Sequence, residues 1–245
     1  DRPLFYGQYY SATVNSYEDG KAMYARLGNK YVLTDYKTEY VYNEGHATLF
    51  PRMYSSNRTH ISGYKTWADI QRKTEEKPSF GENILFFLRY QFDHMYLRYF
   101  MWNFVGRQND MQGHGGASKG NWISGIAALD NLRTIPVDNG PEWLAGNKAR
   151  NTFYFLPFLL GMIGLLYLAR EHSRSFWVLF LFFFFTGVAI IFYLNQTPFQ
   201  PRERDYAFAG SFYVWAVFIG LGVVAIYKSI TQHWSTKPKE IALAI

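Results

Sequence analysis

"FWVLFLFFFFTGVAIIFYL" (176–194) carries no formal charge from end to end, and the stretches on either side of it repeat the pattern. "TFYFLPFLLGMIGLLYLA" (152–169) precedes it and "AFAGSFYVWAVFIGLGVVAIY" (207–227) follows. About 20 apolar residues are needed for a helix to cross ~30 Å of hydrocarbon, and these three runs approach or reach that length. Three all-round apolar helices in succession would be a costly way to build a soluble core, so they predict three transmembrane helices. Pro157, Gly161, Gly164, Gly187, Gly220 and Gly222 fit that reading, because small residues let helices approach closely in lipid.

Outward from these runs the character of the chain changes. The 245 residues are 49% hydrophobic and 20% aromatic with a formal charge of +6, yet residues 1–150 are polar, Tyr-rich and punctuated by Gly and Asn. The absence of Cys excludes a disulfide framework, a thiolate nucleophile and a Cys-based metal site. Lys and Arg are interspersed with acids rather than gathered in a stripe, which argues against nucleic acid. The first residues, "DRPLFYGQYY", read as the middle of a folded segment with no leader, the expectation for a piece of a longer chain. Basic residues flank both ends of the apolar runs. Arg170, Arg174, Lys228, Lys237 and Lys239 slightly outweigh Lys148, Arg150, Arg202 and Arg204, which places the 231–245 tail in the cytoplasm and residues 1–150 and the 195–206 loop outside.

Within the polar part, "KYVLTDYKTEYVYNEGHATLF" (30–50) alternates aromatic or β-branched with polar residues. Asp-Tyr-Lys and Asn-Glu-Gly would serve as turns, so residues 1–82 are expected to hold a small antiparallel meander. "NILFFLRYQFDHMYLRYFMWNF" (83–104) is dense in aromatics but carries Arg89, Asp93, His94 and Arg98. At ~2.5–3.5 kcal/mol for a charge in mid-bilayer, an interfacial or protein-packed helix is expected here instead of a span. "GRQNDMQGHGGASKGNW" (106–122) is a Gly- and amide-rich loop, completing an 83–150 helix-and-loop region ahead of the 151–230 membrane helices. The fold class expected is thus membrane α-helical with an α+β exoplasmic region.

Two regions carry candidate chemistry. "NQTPFQPRERDY" (195–206) joins two apolar runs, setting Arg202 and Arg204 at the depth of a lipid phosphate, whose oxygens suit the planar Arg fork. The same run, Arg202–Glu203–Arg204–Asp205, would also serve as a self-neutralising anchor for helix ends. Residues 89–110 add Arg89, Arg98, Arg107 and Asp110 beside Trp102, Asn103, Gln108 and Asn109, the mixture of aromatic faces and planar polar groups that binds sugars. An interfacial helix followed by a polar loop would have the same composition. Asp93, Asp110, Glu142 and Asp205 are possible general bases. His46, His60, His94 and His114 are too scattered for a metal site, and no metal is expected. No Walker loop, GxGxxG or GxSxG occurs.

Taken together, "DRPLFYGQYYSA" (1–12), "FPRMYSS" (50–56), "RYFMWNFVGRQNDMQGHG" (98–115), "GNWISGI" (120–126) and "NQTPFQPRERDYAFAGSFYVWAVFIGLG" (195–222) resemble a bacterial family of large inner-membrane proteins similar to protein O-mannosyltransferases, within the C-type membrane glycosyltransferases. The resemblance spans nearly the whole chain. It implies a polytopic inner-membrane enzyme that moves a sugar from a polyprenyl-phosphate donor to Ser or Thr of an exported protein on the periplasmic face, with no cofactor beyond the lipid-linked donor. On that basis Arg202 and Arg204, and after them Arg98 and Arg107, would hold the donor phosphate. Trp102, Asn103, Gln108, Asn109 and Asp110 would lie near sugar or acceptor. The superfamily's acidic catalytic residue is expected in a first exoplasmic loop that this chain lacks, so the chain resembles the C-terminal membrane portion, with Asp110 and Asp205 left as its own acidic candidates. The partners implied are membrane lipid, the donor, the exported acceptor and a membrane protein complex. The alternatives are a non-catalytic membrane subunit that binds a partner protein, and a transporter of lipid-linked sugar.

Overall fold

The computed structural model describes residues 14–42, 49–55, 57, 59–71, 78–135, 142–200 and 204–243. They form two compact units, Asp1–Tyr90 with Thr197–Phe199, and Gln91–Gln196 with Gln200–Ile245.

In the first unit, strands β1 (Val14–Leu27) and β2 (Lys30–Tyr42) pair antiparallel around Gly28-Asn29. Gly28 sits at φ 63°, where a side chain would be strained, so the two-residue turn depends on it. Among the described residues the element is a two-stranded hairpin, not a longer meander. Asp35-Tyr36-Lys37 runs through β2 instead of turning, while Asn43-Glu44-Gly45 lies outside the described residues. The ribbon is exposed from Lys21 to Glu39 apart from partly covered Ala22, so a polar triplet inside it sacrifices no core contact. The register shift between Met23 and Tyr24 admits one extra residue opposite, and there Thr34 Oγ1 donates to Met23 O at 3.1 Å.

Helices α1 (Thr59–Trp67) and α2 (Phe80–Phe86) supply the rest of this unit's core. Ser79 and Glu82 close α2 with a reciprocal capping box. Tyr64 packs edge-on to Phe86 at 5.1 Å, and Tyr90 stacks on Phe86 at 5.2 Å. Buried Asn83 braces the preceding segment, its Oδ1 accepting from Arg52 N and Met53 N.

A π-helix, Phe87–Leu97, comes next in the chain, followed by α3 (Arg98–Phe104). The expected helix over 83–104 is therefore present, with wider turns in its middle. At the end of the wide turns the Arg98 side chain donates from Nε to His94 O at 2.8 Å, taking the carbonyl an α-helical amide would have used. The second unit continues through β3 (Gly106–Arg107), short helices α4 (Ala127–Asp130) and α5 (Glu142–Ala145), and β4 (Asn151–Thr152), which pairs with β3. Then come α6 (Leu156–Glu171), α7 (Ser173–Thr186), α8 (Val188–Leu194), a 3-10 turn (Asp205–Phe208) and α9 (Ala209–Leu243).

Two stretches, Ser173–Leu194 and Tyr206–Gln232, are long and apolar enough to cross a membrane. Only 11% and 28% of their most apolar windows are buried, the reverse of a core helix in a soluble protein. The first apolar run yields 16 helical residues rather than the span expected from 152. Thr152 belongs to β4, and Tyr154 and Phe155 adopt φ 51° and 60°, so the helix cannot begin before Leu156.

Glycine governs how α6 meets α9. A Cβ on Gly164 would collide with Phe218 O and one on Gly222 with Leu160 O, while Gly161 faces the Trp215 ring. Trp215 and Phe218 of α9 are buried with Phe100 of α3 and Leu168 of α6, and Phe158 stacks on Trp215 at 5.7 Å. A Cβ on Gly220 would meet nothing within 4 Å among the described residues. Gly164→Ile should therefore lower the thermal midpoint in detergent by an amount matching the ~1–3 kcal/mol of overpacking, whereas Gly220→Ala, uncrowded and a better helix former, holds or slightly raises it. Equal midpoints for the two variants would refute the glycine contact.

Candidate functional site

The loop after α3 is where the second unit spends its amides. Gln108, fully buried, donates from Nε2 to Ala117 O at 2.8 Å and accepts at Oε1 from Asn121 Nδ2 at 3.1 Å. Asn109, also fully buried, accepts at Oδ1 from Gly120 N at 2.8 Å and Met111 N at 3.2 Å, and its Nδ2 donates to Ser118 O at 2.8 Å. These two side chains replace the regular ladder a loop lacks, and they fold residues 108–121 back on themselves. Gly120, at φ 63°, closes the return. A Cβ there would lie 2.6 Å from Met111 O.

Between this loop and α3 lies a cavity of about 240 Å³ lined by Arg98, Tyr99, Trp102, Asn109, Asp110, Met111, Gln112 and Gly120. Helical spacing explains three of these. Residues 98, 99 and 102 lie on one face of α3, and the loop brings 109–112 over it. Trp102 forms a wall, with Tyr99 stacked on it at 5.4 Å and the Arg107 guanidinium 4.1 Å over its ring. Its Nε1 donates to Asn109 O at 3.0 Å. Arg98 is 4% exposed and bridges helix to loop, donating to His94 O and, from Nη1, to Gly120 O. Asp110 is exposed at the rim, where its Oδ1 accepts from Asn147 Nδ2 at 3.2 Å. Gln112 donates from Nε2 to Gln200 O at 2.9 Å. That bond ties the cavity wall to the start of the loop whose sequence continues Pro201-Arg202-Glu203-Arg204.

The sequence candidates separate accordingly. Arg98, Trp102, Asn109 and Asp110 meet around the cavity, with Arg107 behind Trp102. Arg107 Nε is buried without a hydrogen-bond partner among the described residues. Gln108 and Asn109 direct their amides into the protein's own backbone, and Asn103 Nδ2 donates to Tyr99 O within the helix. Arg204 is exposed just before the 3-10 turn that Asp205 begins, and Arg202 lies outside the described residues. No group of three or more His, Cys, Asp or Glu able to hold a metal ion occurs among the described residues. Tyr99, Met111 and Gln112 join the site unforeseen. For Gln112 the signal was present, since it extends the polar run "RQNDMQG" (107–113).

A family of unknown function (DUF8416) matches residues 1–88, a stretch that ends before any cavity residue. No curated protein and no solved structure matches the chain.

His94 lies buried beneath this site, its Nε2 3.2 Å from Gly113 O. Burial, with the Arg98 charge beside it and His114 contributing, pushes its pKa down to about 3 from 6.5, against the raising influence of the Gly113 carbonyl. The ring is thus neutral with the proton on Nε2, which donates. A folded pKa below the unfolded one means the unfolded chain binds the extra proton, so stability falls as pH drops below about 6.5 and continues to fall toward 3. Unfolding in detergent from pH 7.5 to 4.5 should show this decline, and His94→Gln, which keeps a donor for Gly113 O, should flatten it. A decline of the same slope in the variant would exclude His94 as its source.

Proposed function

We propose that the chain is part of a membrane glycosyltransferase that moves a sugar from a polyprenyl-phosphate donor to Ser or Thr of an exported protein, and that the cavity between α3 and the 106–122 loop receives the sugar. The observation that carries the reading is the cavity's composition. A Tyr99–Trp102 aromatic wall faces the exposed carboxylate of Asp110 and the amide of Gln112. Its volume of about 240 Å³ is below the ~300–1,000 Å³ of pockets for drug-sized ligands and suits a single ring. Asp110 and Gln112 supply the planar polar groups that orient ring hydroxyls.

Gln112 bonds the backbone of Gln200, so the wall of the sugar cavity is continuous with the chain that leads to Arg202 and Arg204. In this account those two guanidiniums hold the donor phosphate. The acceptor hydroxyl oxygen attacks C1 of the sugar, the bond from C1 to the phosphate oxygen breaks, and polyprenyl phosphate leaves with the bonding pair. The hydroxyl proton passes to a carboxylate, which the resemblance places outside these residues. Charge grows on the phosphate as the bond breaks, so fixed cations there lower the barrier more than they strengthen ground-state binding. Arg98 and Arg107 act behind the site, Arg98 by joining helix to loop and Arg107 by backing Trp102.

The membrane helices anchor this arrangement. Ser173–Leu194 and Tyr206–Gln232 cross the bilayer, and α6, packed on α9 through its glycines, is a third and shorter span that local thinning accommodates. The 106–122 and 195–206 loops face the periplasm and the tail the cytoplasm of a bacterial inner membrane.

Sugar transfer from labelled polyprenyl phosphate to exported protein, compared at matched folded yield, tests the proposal. Arg202→Ala and Arg204→Ala should each lower transfer by ~10²-fold or more, as expected for a lost transition-state contact. Gln112→Ala and Asp110→Asn should raise the donor KM by roughly tenfold, the scale of one hydrogen bond to a charged or polar ligand. Full transfer in both Arg variants would overturn the phosphate role. Movement of lipid-linked sugar across vesicles with no acceptor modified would favour a transporter, and neither activity would favour a partner-binding subunit.

A further inference from the structure

The hairpin of the first unit has a feature that sugar transfer does not use. At ~3.3 Å per residue the ribbon is roughly 40 Å long, and Lys21–Glu39 are exposed except for partly covered Ala22. A two-stranded ribbon with no core is marginal in water, and this one leaves a group of apolar side chains exposed at its far end. Tyr24 is 62% exposed, Leu27 71%, Tyr31 73%, Val32 46% and Leu33 44%.

The register shows how they are distributed. Tyr24 opposes Leu33 and Arg26 opposes Tyr31, while Ala25 opposes Val32 and Leu27 opposes Lys30. Opposed residues share a face and successive residues alternate, so both faces of the tip are apolar and both carry a cation. Charge is segregated along the ribbon as well. "GKAMYARLGNKYVLT" (20–34) contains Lys21, Arg26 and Lys30 with no acid, whereas Glu18, Asp19, Asp35 and Glu39 lie in the stem with Lys37.

We propose that residues 21–33 form a finger that inserts its tip among anionic lipid headgroups. A protein docked on the ribbon would cover one apolar face and leave the other wet, but a lipid interface surrounds the tip on both. Tyr side chains, apolar with a polar end, favour that depth, and the unpaired strand edges still find hydrogen bonds there, as they would not in hydrocarbon. The acid-free tip meets the negative surface, and the acidic stem stays outside it. The proposal rests on the membrane reading but not on glycosyl transfer.

The chain has no Cys, so one introduced thiol is a unique label. Asn29→Cys at the turn, carrying an environment-sensitive dye, is followed in the full chain reconstituted into phosphatidylcholine vesicles and into equimolar phosphatidylcholine and phosphatidylglycerol. A dye on Val223→Cys in α9 reports membrane incorporation separately. The tip dye should shift to the blue and be quenched by nitroxide-labelled lipid in the anionic vesicles. One basic residue near such a surface is worth about a fivefold change in the inserted-to-free ratio, so Arg26→Gln with Lys30→Gln should lower that ratio roughly 25-fold. Lipid quenching at Val223→Cys with water-like emission at Asn29→Cys in both vesicles would overturn the finger alone. Blue emission that lipid nitroxide does not quench would also overturn it, pointing to a protein partner or a second copy. No quenching at Val223→Cys would overturn the membrane reading beneath it.

Discussion

The buried guanidinium of Arg98 is the constraint on which the candidate site depends. A charge at 4% exposure is costly unless its donors are used, and here they reach His94 O in the wide helical turns and Gly120 O in the loop. One side chain thus holds helix and loop at the spacing that leaves a cavity between them. Burial first, and the Arg98 charge after it, keep His94 neutral, so the two residues work as one buried unit. Around that brace, Gln108 and Asn109 supply the hydrogen bonds that let a Gly-rich loop hold one shape.

Packing carries the same logic into the apolar half. The glycines of α6 and α9 bring backbones into contact, and Trp215 fills the space beside them against Phe100 and Phe158. Phe100 belongs to α3, the helix that bears Arg98, Tyr99 and Trp102. The cavity wall is therefore seated directly on the helices that are apolar enough to enter a bilayer. Sites built on packed helices hold their geometry better than sites on loops alone, and here one wall is helix and the other a cross-braced loop.

How much of this the sequence disclosed varies with the kind of signal. The apolar runs were legible because length and absence of charge are local properties, although the first helix begins late, after Thr152 in β4 and the positive φ at Tyr154 and Phe155. The hairpin was half legible. Alternation in 30–50 marked extended chain, but the partner of Lys30–Tyr42 lies upstream in Val14–Leu27, and an exposed ribbon tolerates Asp35 where a turn was expected. Composition pointed to Trp102 and Asp110, but it could not distinguish amides that face a ligand from amides that satisfy a loop. Gln108 and Asn109 belong to the second kind. Gln112, which extends the same polar run, takes its place through the cavity wall and a bond to a residue 88 positions away.

The central claim is that this cavity and the Arg202–Arg204 stretch together receive a lipid-linked sugar. The most direct measurement is an experimental structure of the protein in a lipid nanodisc with a non-hydrolysable polyprenyl-phosphate sugar analogue. The account predicts the sugar ring between Tyr99, Trp102 and Asp110, with the phosphate against Arg202 and Arg204. Density for the analogue elsewhere, with this cavity empty at saturating ligand, would contradict it.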